Sequence, residues 1–281
     1  MVCTIVFFWI ILTATSSRAT VEALSQPEMR RDWLWKAPLA AGTAYYYGTT
    51  FQKINQISNL IYPEAHERRV ISTLTTALEN IVVNDGASRP LRILEVGMGS
   101  DCRLLRRGLY NQGFQRVSTP MELVGLDLKT PSNKVQEDAK SKLEKFPVDL
   151  QFISGDITTS LPFPDGFFDS IVFCTMLCSV NDPIAALQEM KRLLRPQGGT
   201  LGYVEHVATE PGDGKPFFGV QQQLLDPLQK VVADNCHLHR YTAQTIHVAF
   251  PSSRTLYEER FFVDEMWPVS CQCCGVIQTM A

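Results

Sequence analysis

Basic charge is not in excess in this chain: 26 Lys and Arg stand against 29 Asp and Glu, a net −3 with the signs interspersed. Without a basic face nothing neutralises a phosphate backbone, and nucleic acid drops out as an expected partner. Internal repeats and low-complexity tracts are also missing. So is a long apolar run at the start. Val2 to Thr13, with Phe7-Phe8-Trp9-Ile10-Ile11-Leu12 at its centre, falls short of the roughly 20 residues a membrane-spanning helix needs. It fits a signal peptide better, with Ser17-Arg18-Ala19 as candidate cleavage site, although a positive n-region is lacking apart from the amino terminus. Cysteine is present without a framework. Eight in 281 residues do not by themselves imply disulfides, and loss of a signal peptide would remove Cys3 and leave an odd number. Cys271 and Cys274 have a metal-compatible spacing, but no second such pair exists, so no metal is expected. Cys174 and Cys178 read as small buried hydrophobes.

What is present suits one doubly wound domain with a substantial core and an extra N-terminal piece, since 45% of the 281 residues are apolar. The expected division is a signal or anchor segment over 1–48, a helical extension over 49–90 and a catalytic domain over 91–281. Arg30-Arg31 ahead of Ala37 to Ala44 reads either as a nested export signal or as a basic flank at a membrane surface. Trp33, Trp35 and Tyr45-Tyr46-Tyr47 suit a bilayer interface, where ring and polar edge are both satisfied. Tyr62 to Val83 carries Ile71, Leu74, Leu78 and Ile81 at helical spacing, a face expected to pack on the domain.

The chemistry concentrates further along. Ile93-Leu94-Glu95-Val96 reads as a buried parallel strand that breaks into Gly97-Met98-Gly99, then into a helix expected over about Asp101 to Tyr110. Asp101 reads as the N-cap of that helix, or as a carboxylate facing a ligand. Leu123 to Asp127 is a second strand ending in a carboxylate, the group that accepts from ribose hydroxyls in such folds. Phe152 to Ile157 repeats the pattern, with Asp156 suited to an exocyclic amine and Ile157 to an adenine ring. A dinucleotide site would want a third glycine three places after Gly99, where Cys102 stands. Leu161 to Asp169 then leads into a strand over Ser170 to Thr175, a helix over Pro183 to Leu194, the breaker Arg195-Pro196-Gln197-Gly198-Gly199 and a strand over Thr200 to Glu205. Val269 to Thr279 reads as the last, antiparallel strand.

From about Leu91 to the C-terminus these ordered motifs resemble the class I methyltransferases that use S-adenosylmethionine. The resemblance implies an α/β fold with a doubly wound, seven-stranded, mostly parallel sheet. It implies Glu95, Gly97 and Gly99 along the methionine part of the cofactor, Asp127 on the ribose, Asp156 and Ile157 on the adenine, and Cys174 in the pocket wall. Asp101 takes the place of the family's usual third glycine. Between Ser170 and Thr242, the segments Tyr203 to Ala208, Gln222 to Pro227 and Asp234 to Arg240 further resemble membrane-associated methyltransferase-like proteins that methylate small alkyl thiols. That likeness implies an N-terminal membrane anchor, and with it a small-molecule acceptor, a membrane surface and the endoplasmic reticulum or secretory route. The alternative address is an organelle reached by nested signals. Methyl transfer from a sulfonium is an in-line displacement that asks chiefly for positioning and shielding. A thiol with an unperturbed pKa of about 8.5 also gains from a nearby base. His206, at a strand end, and Asp226 are the expected catalytic residues, with His237 and His239 as weaker candidates; Glu205 either orients His206 or simply ends the strand. The alternatives are an O-, N- or C-methyltransferase of a lipid or natural product, and a catalytically silent cofactor-binding membrane protein.

Overall fold

The computed structural model describes residues 62–82 and 89–280. The N-terminal apolar run, the candidate cleavage site, the arginine pair, the aromatic flank and the start of the helical extension lie outside the described residues. Among those described, no helix is long and apolar enough to cross a membrane.

Helix α1 (Glu64–Glu79) precedes strand β1 (Leu91–Val96). Two short helices, α2 (Arg103–Arg106) and α3 (Asn111–Arg116), lead to β2 (Met121–Asp127), α4 (Asn133–Ser141) and β3 (Val148–Ser154). The second half runs through β4 (Ser170–Cys174), α5 (Pro183–Leu193), β5 (Thr200–His206), α6 (Pro216–Val232), α7 (Thr242–Ala249), β6 (Ser253–Phe262) and β7 (Cys271–Thr279). The seven strands lie in the order β3-β2-β1-β4-β5-β7-β6, and only β7 runs against its neighbours. The chain therefore leaves β1 to build one half-sheet and returns beside it at β4. Ligands of open α/β sheets bind at such a reversal, outside the carboxyl ends of the strands.

Alternation along the strands sends side chains to opposite faces. Ile93, Leu123, Val172, Val204 and Val276 pack with α1 to α4 on one face. Leu94, Leu126, Phe173, Leu201 and Tyr203 pack with α5 and α7 on the other. Helix α5 shows how locally this is written. Asp182 caps it by accepting from the backbone N–H of Ile184 and Ala185 (3.0 Å each), and Pro183 pre-sets the first turn. Ala186, Leu187, Met190 and Leu193 then form its buried stripe.

The helix expected over 101–110 is a correction. Cys102 sits in the left-handed region (φ 49°), α2 lasts four residues, and Gly108 (φ 69°) turns the chain before α3 begins. Asp101 is not its cap: Cys102 holds that position, and no side chain bonds the free N–H groups.

Candidate functional site

The bend after β1 is fixed by backbone bonds to the neighbouring strand. The N–H groups of Gly97 and Met98 donate to the Leu126 carbonyl at 2.8 and 3.2 Å. Gly97 (φ 72°) and Gly99 (φ 75°) adopt conformations that L side chains rarely take, and a Cβ on Gly97 would collide with Met176. The Gly99 N–H donates to Asp127 Oδ2 at 2.9 Å, drawing the carboxylate at the tip of β2 over the bend. Asp156 lies two residues beyond the tip of β3, the strand paired with β2, and the Gly155 N–H donates to the Asp127 carbonyl at 2.9 Å. The two acids thus stand on neighbouring strand ends at one edge of the sheet. Asp156 is exposed and accepts from the Thr158 N–H (2.9 Å) and hydroxyl (2.7 Å), while Ile157 beside it is buried.

Beneath the bend, on the α1 face, is a buried polar floor. Glu95 is 1% exposed and accepts from the Tyr110 hydroxyl at 2.9 Å. Burial pushes its carboxyl up to about 8, against the pull of that hydroxyl and of Arg103. Arg103, at the first position of α2, is itself buried. Its guanidinium stacks on Tyr62 at 4.0 Å and donates from Nη2 to Cys174 Sγ at 3.3 Å, while Nη1 is buried without a partner. On α1, His66 bonds through Nδ1 to Gln272 of β7 (2.7 Å), and its Nε2 is buried and unpartnered. Burial, and then the charge of Arg103, hold His66 down to about 4, so it is neutral at physiological pH.

A second group of candidate residues begins at the end of β4. Thr175 takes φ 51°, unusual for a β-branched residue, and its N–H donates to the Val204 carbonyl at 2.8 Å. The turn that follows is held by Glu205, whose buried carboxylate accepts from the N–H groups of Met176 (2.6 Å), Leu177 (3.0 Å) and Cys178 (3.3 Å). Glu205 therefore clamps a turn rather than orienting His206. His206 is 2% exposed, with Nε2 at 3.0 Å from Cys236 Sγ and Nδ1 buried and unpartnered. Cys178, His206 and Cys236 converge: their ligand-capable atoms all lie within 4.8 Å of one another. Hydrogen bonding to Cys178 and the nearby His206 hold the Cys236 thiol well below the usual thiol range, while that same bond and burial push Cys178 up.

Asp226, the second expected catalytic residue, lies on α6. Its Oδ1 accepts from the Leu238 N–H at 2.7 Å and its Oδ2 lies 3.6 Å from His237, so it shapes the turn that carries Cys236. His239 lies out of the cluster, 3.2 Å from Gln223 at the surface. Cys271 and Cys274 belong to opposite faces of β7 and cannot share an ion, and all seven described cysteines are unbridged. Of the expected cofactor residues, Glu95, Gly97, Gly99, Asp127, Asp156, Ile157 and Cys174 all gather at the carboxyl edge around the β1–β4 reversal. Arg103, Tyr62, His66, Gln272 and Cys236 were missed. Arg103 stands four places after Gly99 and Cys236 within Asp234 to Arg240, but neither motif assigns these side chains a role.

Residues 94–201 match the family model described as a methyltransferase domain. Thiol S-methyltransferase TMT1B of Rattus norvegicus is 39% identical over 85 residues, covering 30% of this chain and 33% of that protein. The Homo sapiens TMT1B is 45% identical over 78 residues, covering 28% and 30%. The demethylmenaquinone methyltransferase of Beutenbergia cavernae is 36% identical over 99 residues, covering 35% and 40%. The chain thus spans 30 to 40% of the length of these curated relatives. The solved YcgJ protein of Bacillus subtilis aligns with 75% of this chain and 99% of its own, at 15% identity and a TM-score of 0.49. Over residues 94–201 the chain is thus similar to methyltransferase domains, and over shorter stretches to the thiol S-methyltransferases.

Proposed function

We propose that this chain is an S-adenosylmethionine-dependent methyltransferase acting on a small molecule, with an alkyl thiol as the acceptor. One observation carries the reading: the carboxylates of Asp127 and Asp156 stand on adjacent strand tips, with Asp127 bonded to the N–H of Gly99 in the Gly97-Met98-Gly99 bend. The residues present fit the cofactor. Asp127 would hold the ribose, and Asp156 with Ile157 the adenine. Glu95 and the glycine bend would line the methionine part, and the unpartnered Nη1 of buried Arg103 suits its carboxylate. Arg103 also offsets the charge that Asp101 adds near that point. When bound, the cofactor supplies a sulfonium methyl for in-line displacement. The protein's own contribution is to hold the acceptor close and to exclude water. The thiol acceptor is favoured by the two TMT1B relatives and by the buried sulfur and imidazole cluster of Cys178, His206 and Cys236 beside the ends of β4 and β5.

The membrane surface belongs to the same proposal. Helix α6 buries Gln222, Leu225 and Gln229 and exposes Phe217, Val220, Leu224 and Val231, so its apolar stripe points outward. Such a face suits a bilayer interface.

Incubation of the full chain with methyl-labelled S-adenosylmethionine and a panel of alkyl thiols, phenols and lipids tests the reading. Label is expected in a thiol; label in a phenol or lipid instead, or none at all, overturns it. Asp127→Ala should weaken cofactor binding roughly ten- to a hundredfold, the worth of a charged hydrogen bond. Unchanged affinity would remove the ribose assignment.

A further inference from the structure

The trio of Cys178, His206 and Cys236 comes from three separate segments, the turn after β4, the end of β5 and the turn after α6. All three are buried, at 2%, 2% and 8% exposure. Their supports are also built. The Cys178 N–H is held by Glu205, and the His237 N–H donates to the Cys178 carbonyl at 2.9 Å, tying the two cysteine-bearing turns together. Asp226 fixes the Cys236 turn from the other side.

Tetrahedral zinc with sulfur at about 2.3 Å and nitrogen at about 2.0 to 2.1 Å separates its ligand atoms by roughly 3.5 to 3.8 Å. The observed spread, within 4.8 Å, brackets that range, and the 3.0 Å between His206 Nε2 and Cys236 Sγ opens by about half an ångström on binding. The donor set is soft: two sulfurs and an imidazole select zinc over calcium or magnesium. Two thiolates against a divalent cation also give a neutral core in a buried place, where an unbalanced charge would be costly. Three protein ligands leave one position free, the arrangement of zinc sites that react rather than brace. Two buried polar atoms on and beside the trio lack a partner, His206 Nδ1 and Gln229 Oε1; Gln229 donates from Nε2 to Cys236 Sγ at 3.5 Å. Arg240, bonded to the carbonyls of Leu177 and Val180 (2.7 Å each), brings a cation to the flank of Cys178.

We propose that Cys178, His206 and Cys236 bind a zinc ion whose fourth position takes the acceptor thiol as its thiolate; the second clause rests on the thiol-transfer reading above. A thiol that coordinates such a cation gives up its proton outright. The step balances: that proton leaves to solvent, the thiolate pair forms the new carbon–sulfur bond, and the pair of the broken sulfonium bond stays on the departing sulfide. The product is a neutral thioether, a poorer ligand than the thiolate it replaces.

The test uses the full chain, reconstituted with zinc under reducing conditions and freed of excess metal. Elemental analysis should find about one zinc per chain. Cys178→Ser, Cys236→Ser and His206→Gln should each lower retention at least about tenfold while circular dichroism stays that of the parent. Cobalt titration of the unaltered chain, which needs no variant, should give thiolate-to-metal charge-transfer absorption. An alkyl thiol should then intensify and shift that absorption. Negligible zinc, zinc that survives Cys236→Ser, or a Cys178 to Cys236 disulfide in the isolated protein overturns the site. A cobalt spectrum indifferent to saturating thiol overturns the open position. Label entering a phenol or lipid while the metal stays at one equivalent overturns the proposed function and supports the metal site.

Discussion

Glu95 carries two demands that pull against each other. Its place one residue from the end of β1 puts the carboxyl near the expected cofactor, and the same strand buries it to 1% exposure. Burial favours the neutral acid, so the folded chain holds this proton up to about pH 8, whereas an unfolded glutamate releases it near 4.5. Between those values the native state binds one proton more than the unfolded state. That contribution to stability is full below about 4.5 and is lost as pH rises toward 8. Glu95→Gln keeps an acceptor for the Tyr110 hydroxyl and removes the titration. Chemical denaturation from about pH 5.5 to 7.5 should show the parent losing about 2 to 3 kcal/mol relative to the variant, one proton's slope over two units. Parallel curves would place the ionised carboxylate in the free protein. Glu95 and Asp127 were legible because strand-end position is a local pattern. Arg103 was not, because its meaning depends on Cys102 entering the left-handed region and cutting the helix short. Cys236 was invisible for another reason: its partners lie 58 and 30 residues away, and no spacing rule reaches across them.

Among the elements, α6 departs furthest from what a sequence pattern conveys. A helical stripe of Phe217, Val220, Leu224 and Val231 would ordinarily face the core. Here that stripe is outside, with Phe217 80% and Leu224 75% exposed. The opposite side is pinned by polar bonds: Gln222 accepts from the Thr209 N–H and hydroxyl at 2.8 and 2.7 Å and donates to the Val207 carbonyl at 2.9 Å. Only the tertiary partner reveals that a glutamine is the inward residue. By contrast, α1 and α5 were legible, since in both the apolar spacing and the buried face coincide. The outward stripe carries a prediction for the membrane proposal. Phe217→Ser with Leu224→Ser should weaken co-sedimentation with lipid vesicles. It should leave thermal stability nearly unchanged, since exposed positions typically contribute under about 0.5 kcal/mol. Equal vesicle binding by parent and variant would remove α6 from the membrane contact.

Across the described residues, the candidate site lies at the carboxyl ends of the strands and a buried ion-pair cluster ties their amino ends together. The strand sequence was readable from alternating apolar runs and turns, but the order β3-β2-β1-β4-β5-β7-β6 was not, because pairing joins strands far apart in the chain. What closes the opposite edge was equally hidden. Asp169, just before β4, is 0% exposed and receives two bonds from Arg89 (2.7 and 2.8 Å), the Arg92 N–H (2.9 Å) and Arg195 at 2.8 Å. One carboxylate thereby joins the approach to β1, the start of β4 and the turn after α5. Burial alone would raise its pKa, but the bonds from Arg89 and Arg92 and the charge of Arg195 outweigh it and hold the carboxyl below the usual range. Its stabilisation is therefore complete above the ordinary aspartate pKa and is lost as pH falls through the depressed one. Asp169→Asn leaves two guanidinium groups without their counter-charge, a loss of about 3 to 5 kcal/mol when one partner of a buried pair is removed. For a domain of this size that corresponds to a melting temperature lower by about 10 °C. Because the carboxyl edge lies at the other end of the strands, cofactor affinity measured well below the melting point should stay within about twofold of the parent. A variant that melts normally but loses the cofactor would mean that the two ends are coupled through the sheet.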